Sequence, residues 1–466
     1  MFIYKDFPMI TAQNTVKLII TSLVEFLAYM LLVMACRRLD RYKPRFVVPP
    51  VLIFSISVQA VFILLFPTLP TADMEIVNRI AEMFLSGNYT PLEKYHYLYM
   101  HPQNLGISLF IYYLYSFLPN SVFVPKMANV LFSALTSLLI FLIYRELNGD
   151  GKKNEYGILV ASCLYLPSIL LNNLIYNDVI ATSLFAGTVL FAIKFVRTRK
   201  IFFAFLCGAF LSVGNVFRSV GPIFLLAVTI YFLFNIESLK RTFAAVLLVA
   251  ALFAVPSFAV HKSVESRAGL SEPIGRNSAP VLMWVHMGMS RDTIGFWDRG
   301  KSYEIYAVSG WNKELSSRIY KEKILENIKM MGIRGLLELY CKKTFWVWTE
   351  GTYQSELYGF GYHSLGGYLY ETGANRFLDD ASEYRGAVRW AIYVSNFLMF
   401  CLIAFSLSVS IKKRLFGEEL LVLVILGFTA FYIIWEIKSR YLYPCFPYLL
   451  IMSYMGIKRI LPAGSG

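Results

Sequence analysis

The sequence predicts an all-α polytopic membrane protein of about eleven transmembrane helices, on three observations. Hydrophobic residues make up 57% of the 466 positions and charged residues only 16%, with a mean hydropathy of +0.55. The apolar residues come in blocks, most of them about 16–24 residues long, enough to cross a hydrocarbon core of about 30 Å as helix. Charged segments separate the blocks, and every second one is rich in lysine and arginine.

In chain order the predicted spans are Leu18–Cys36, Val47–Leu69, Ser121–Tyr144, Tyr156–Leu171, Val179–Val196, Ile201–Val216, Ile223–Phe234, Phe243–Val260, Ala391–Ser410, Leu420–Trp435 and Leu442–Ile457. The first is too long for a signal-peptide core and lacks a small-residue cleavage site, so it is expected to be retained. The basic segments are 37–45, 145–153, 197–200, 240–241, 412–414 and 458–459. With these spans all six fall on one side, which the positive-inside rule makes the cytoplasm. The segment Leu105–Leu118 is apolar but short, and its tyrosines and phenylalanines suit the headgroup zone, so it is read as an interfacial helix on the outer surface. Three regions follow: an N-terminal transmembrane module, 1–260, with an outer loop at 70–120; an extracytoplasmic loop domain, 261–389; and the C-terminal transmembrane helices, 390–466. Within the loop domain, Ile324, Ile328 and Met331 keep the spacing of an amphipathic helix.

The net charge of +14 follows from those basic loops, and no RNA-binding signature accompanies it, so no nucleic-acid partner is expected. The six cysteines show no C-x-x-C spacing, which indicates neither a disulfide framework nor a zinc site.

Candidate chemistry gathers at the outer ends of the spans. Asp73 and Glu75 open a helix after the second span, with Thr71 as expected N-cap and an apolar stripe of Ile76, Val77, Ile80, Met83 and Phe84. Asp178 stands in the short turn Tyr176-Asn177-Asp178. Arg218, Lys438 and Arg440 occupy short outer loops where topology disfavours them, and a bound anion is the simplest reason for their presence. Pairing with Asp178 or Glu436 is the alternative. His101 and His286 show no metal-ligand spacing, and Trp346, Trp348, Tyr353 and Tyr358 can stack on sugar or anchor the loop at the interface.

Four motifs taken together resemble the GT-C superfamily of lipid-phosphate-sugar glycosyltransferases, in particular the protein O-mannosyltransferase and lipid A aminoarabinose transferase group and its Gram-positive members. They are Asp73-Met74-Glu75 at a surface helix, His101-Pro102-Gln103-Asn104-Leu105-Gly106, Tyr176-Asn177-Asp178, and Arg218-Ser219-Val220-Gly221-Pro222; Glu436-Ile437-Lys438-Ser439-Arg440-Tyr441 is similar to the end of many bacterial members. The chain departs from the family pattern in lacking a lysine after Gly106, and Leu18–Cys36 is an additional span. The resemblance implies a GT-C fold in the cytoplasmic membrane and inverting transfer of one sugar from a polyprenyl-phosphate donor to a hydroxyl of an envelope glycan or protein outside the cell. It implies Asp73 as base, and Arg218 and Arg440 at the lipid phosphate with Lys438 and Arg79 in reserve. Asp178, Glu75, Glu436 and His101 are then expected to position the acceptor or a cation. A divalent metal is compatible with several outer acids, but no spacing demands one. Two rivals make different demands. A polymerase or ligase of the O-antigen type would use the large loop around Arg276, His286 or Arg291, and a lipid-sugar transporter would use mid-span polar residues such as Glu25.

Overall fold

The computed structural model describes residues 12–148, 154–361, 367–379, 382–413 and 417–461. Lys152, Lys153 and Arg414 of the basic loops lie outside them. The main helices are α1 (Ala12–Cys36), α2 (Pro44–Leu65), α3 (Asp73–Leu85), α4 (Leu105–Phe117), α5 (Phe123–Leu147), α6 (Tyr156–Cys163), α7 (Leu166–Leu170), α8 (Asp178–Thr198), α9 (Ile201–Phe217), α10 (Gly221–Phe234), α11 (Leu239–Ala268), α12 (Val281–Gly288), α13 (Lys313–Thr349), α14 (Ser355–Phe360), α15 (Glu383–Lys413), α16 (Glu419–Ile434) and α17 (Phe446–Ile460). No strand occurs among the described residues, only an isolated antiparallel bridge between Thr68 and Tyr368.

Six helices are long and apolar enough to cross a membrane: α1, α2, α5, α8, α11 and α15. The bent pair α6–α7, with 47° between its halves, makes a seventh. Pro167 explains the break, because it offers no N–H and its ring crowds the carbonyl four residues back, at Cys163. Helices α9, α10 and α16 are apolar but shorter. The chain is therefore an α-helical membrane protein. Its centre is α8, the most buried of these six helices, whereas α1, α2 and α11 are mostly exposed. The outward rows of those three helices, such as Ile19, Leu23, Leu27, Ile53 and Phe258, are apolar and exposed, as lipid-facing surfaces must be.

The bundle has two chemically distinct ends. At one, Arg37 donates to the carbonyl of Leu461, Tyr156 N–H donates to Asp40, Lys458 pairs with Glu155, Arg197 pairs with Glu146, and Arg199 pairs with Glu237. The basic loops thus gather together. At the other end lie the start of α3, the turn before α8, the exit of α9 and the segment after α16, which carry the candidate residues.

Helix α4 belongs to this second end. Thirteen residues of helix span about 20 Å, against a hydrocarbon core of about 30 Å. Its Tyr115 hydroxyl donates to Asn78 of α3 at 2.7 Å, and Phe110 packs on Phe217, the last residue of α9. Gly106 permits the approach, since a Cβ there would stand 2.2 Å from the Val216 carbonyl oxygen. Gly106→Ala is expected to destabilise the protein by about 1–3 kcal/mol, read as a lower apparent Tm; an unchanged Tm would show that α4 and α9 are not locked there.

The helices that bound the expected loop domain reach into it, α11 running on to Ala268 and α15 beginning at Glu383. The expected amphipathic segment forms the first part of α13, which kinks at Gly332, where φ is 59°. The segment returning from α14 braces the α2–α3 connector: Leu69 N–H donates to Gly367 O, and Leu369 N–H to Pro67 O.

Candidate functional site

Asp73 is placed by the connector that precedes it. Lys126, buried near the start of α5, donates to the Thr68 carbonyl at 2.6 Å and to its hydroxyl at 3.0 Å. Ala72, not Thr71, is the N-cap, and it offers no side-chain cap. Its φ of 53° and ψ of −129° are unfavourable for a residue with a Cβ, the kind of strain that collects at functional sites. Among the described residues the Asp73 carboxylate makes no hydrogen bond or ion pair. Its charge is nonetheless felt by Tyr97, His101, Tyr176 and Glu436, which places it among them. Glu75 and Arg79 pair with each other at 2.5 Å on the exposed side of α3. The structure brings neither to the site, because their i,i+4 spacing puts both on the face opposite the buried Val77, Ile80 and Phe84.

Around Asp73 stands a hydrogen-bonded wall. Asn104 donates to the Tyr97 hydroxyl at 2.7 Å and accepts from Tyr176 at 3.0 Å. Burial and then the Asp73 charge push Tyr176 up to about 12. His101 lies beside Tyr97 and faces Trp284 of α12, ring centres 5.1 and 6.3 Å away. Burial pushes its pKa down to about 4, with Asp73 opposing and Lys438 assisting. At neutral pH the imidazole is uncharged. A lowered histidine pKa means that the unfolded chain binds the extra proton first. The resulting stability is complete above about pH 6.5 and is lost as pH falls toward 4. His101→Gln is expected to flatten the fall of apparent Tm across that window; a slope equal to wild type would remove His101 as its source.

Asp178, the first residue of α8, is fully buried. Arg218, just past α9, hydrogen-bonds its Oδ1, and Arg440 Nη1 lies 3.6 Å from its Oδ2. The guanidinium of Arg218 lies over Tyr441 at 5.3 Å, and that of Arg440 over Tyr176 at 5.0 Å and Tyr358 at 5.2 Å. Two cations thus share one carboxylate. Arg218 Nε and Arg440 Nε and Nη1 are buried without a hydrogen-bond acceptor among the described residues. Such donors are expensive to leave unmet, so the cluster is electrostatically suited to one further anion. Glu436 is buried beside it, 3.5 Å from Lys438, and accepts from Tyr441 at 3.2 Å. Burial raises its pKa, Lys438 and Tyr441 lower it, and Asp73 raises it; the net direction is up.

The residues that a large-loop catalyst would need do not converge. His286 is buried against Ser302 at 2.9 Å, Arg291 pairs outward with Glu338 at 3.4 Å, and Arg276 is exposed. Glu25 bonds Ser395 at 2.8 Å inside an apolar cavity of about 470 Å³ that Tyr165, Pro167, Leu398 and Leu450 also line. No three His, Cys, Asp or Glu side chains among the described residues group to hold a metal ion.

Sequence reasoning missed two lysines. Lys343 donates to the carbonyls of Gly288, Ile433 and Trp435 at 2.6, 2.8 and 2.9 Å, pinning the loop domain onto the end of α16 beside Glu436. Burial pushes it down to about 7, partly offset by Glu436. Lys126 had a visible signal, a cation inside an apolar block. Of the aromatic residues singled out, Tyr358 reaches the site through Arg440, while Trp346 is buried against Phe296. No protein-family model matches this chain, and no curated protein matches it.

Proposed function

We propose that the protein is a glycosyltransferase of GT-C type that moves one sugar, with inversion, from a polyprenyl-phosphate donor to a hydroxyl of a cell-envelope glycan. The observation that carries this reading is the presence, at one end of the bundle, of a carboxylate without a hydrogen-bond or ion-pair partner among the described residues, Asp73, together with a buried cluster of two arginines around one aspartate. Transfer to a hydroxyl needs a base at the acceptor and fixed positive charge where the leaving phosphate develops its own. Asp73 takes the acceptor proton. Arg218 and Arg440 receive the phosphate through the guanidinium N–H donors that find no acceptor among the described residues. Asp178 keeps the two cations together, and Glu436 holds Lys438 and Tyr441 beside them. The isoprenoid tail lies in the apolar cavity under Glu25, whose rim residue Tyr165 stacks on Phe446 shortly after Arg440.

The reading carries the topology with it: eleven crossings, basic loops in the cytoplasm and the site on the outer face of the cytoplasmic membrane. The shorter helices α9, α10, α16 and α17 cross in it where the bilayer thins around them. The donor is membrane-borne because nucleotide sugars stay on the cytoplasmic side. Purified protein in lipid nanodiscs, given a panel of undecaprenyl-phosphate hexoses and isolated envelope glycans, is expected to transfer labelled sugar to glycan. Failure to transfer from every donor in the panel overturns the reading.

A further inference from the structure

Resting on that reading, we infer that α1 is the lid of a side entrance to the site: the isoprenoid tail of the donor enters from the bilayer between α1 and α15, and Glu25 with Ser395 latches that seam. Both ends of α1 are fixed to the bundle. Leu18 is buried near one end; Val33 and Cys36 are buried at the other, where Arg37 and Asp40 also hydrogen-bond across to the bundle. Between them, from 19 to 32, no residue is buried. A helix that closed a core along its length would bury a residue of its inner face every three or four positions.

That stretch has an inner face, but the face meets a cavity. Glu25, Ala28, Tyr29 and Leu32 keep the i, i+3, i+4, i+7 spacing of one helix face and form one wall of the apolar cavity of about 470 Å³; α6, α7, α15 and α17 enclose the rest. Small-molecule sites run from about 300 to 1,000 Å³, so the volume suits a section of a hydrocarbon chain. The cavity opens sideways, since Ala28 of α1 and Ser395 of α15 both line it and are themselves exposed. On a membrane-spanning bundle the medium outside that seam is lipid, and an isoprenoid chain reaches the cavity from there without passing through water.

Glu25 shows how such an opening is kept shut. A carboxyl group inside a span has nothing to offer a hydrocarbon tail and is costly there. Between helices in lipid, however, a hydrogen bond joins two surfaces that apolar packing has not sealed. Glu25 accepts from Ser395 at 2.8 Å, directly across the seam. About two turns away along α1, Lys17 Nζ lies 4.8 Å from the ring centre of Trp390, again linking α1 to α15. Each link is one side chain to one side chain. When they release, the middle of α1 can lift from α15 without breaking a packed core, because none of its residues there is buried.

The test reads lipid entry and needs no sugar transfer. In the full chain, with the exposed Cys341 and Cys401 changed to serine, Glu25→Cys and Ser395→Cys are joined by a thiol-cleavable methanethiosulfonate crosslinker. The protein in nanodiscs is then offered fluorescent undecaprenyl phosphate from vesicles, or the short geranyl phosphate from solution. The crosslink is expected to slow uptake of undecaprenyl phosphate by about tenfold and reductant to restore it, while geranyl phosphate binds equally in both states. Ala28→Trp, at an exposed position in the mouth of the cavity, should slow uptake in the same way without a crosslinker. Unchanged uptake in both proteins overturns the inference, as does equal slowing of geranyl phosphate by the crosslink. Gated uptake with no sugar transfer from any donor would instead sink the transferase reading and leave the entrance standing; transfer from undecaprenyl-phosphate sugar at the uncrosslinked rate in the crosslinked protein would do the reverse.

Discussion

Asp73→Asn is expected to lower the rate of sugar transfer by about 10²–10⁴-fold, the range that a positioned general base contributes. The amide has the volume of the carboxylate but cannot accept the acceptor proton. The fold should survive, because among the described residues the Asp73 side chain makes no hydrogen bond or ion pair that the change would break. What is lost structurally is one negative charge at the start of α3, about 0.3–1 kcal/mol of helix-dipole stabilisation. Glu75→Gln is the matched control on the same helix. Its carboxylate pairs with Arg79 in solvent, so it should turn over near the wild-type rate. Initial rates with labelled polyprenyl-phosphate sugar check both variants, and an active Asp73→Asn enzyme would remove Asp73 from the base role.

Arg440→Met should have the next largest effect, lowering transfer by about 10²–10³-fold, as loss of one preorganised charge stabiliser does elsewhere. The variant remains folded on this account, because Arg218 still hydrogen-bonds Asp178 and the buried pair stays neutral. Asp178→Asn should behave in the opposite sense. It leaves Arg218 and Arg440 buried against each other with no counter-charge, and breaking a buried pair of this kind costs about 3–5 kcal/mol. Arg440→Met is therefore expected to spare apparent Tm and lose activity, whereas Asp178→Asn loses both. If Arg440→Met unfolds the protein while Asp178→Asn does not, the cluster is structural and the phosphate site lies elsewhere.

Much of the site could be read before the fold. Arg218, Lys438 and Arg440 stand out because they sit in short loops that the charge pattern predicts to be outer, and the structure brings all three to the end where Asp73 lies. The i,i+4 spacing of Glu75 and Arg79 was equally readable, and it accounts for their pairing away from the site. The role of Asp178 was not readable. Its two arginine partners come from other loops, and nothing in Tyr176-Asn177-Asp178 says which cations it will meet. Lys343 was hidden for a different reason: its partners are backbone carbonyls, which every residue carries and no motif announces.

The sequence alone determined that this chain is a helical membrane protein with chemically different ends. Hydrophobic block length and loop charge are local properties, set by the thickness of a bilayer and the cost of moving charge across it. Only the tertiary structure decided that Arg218 and Arg440 share Asp178, and that Asp73 has no hydrogen-bond or ion-pair partner among the described residues. Those are distances of a few ångströms between segments far apart in the chain. Helix packing sets them, through close approaches such as that of Gly106 to Val216, and no local pattern encodes them.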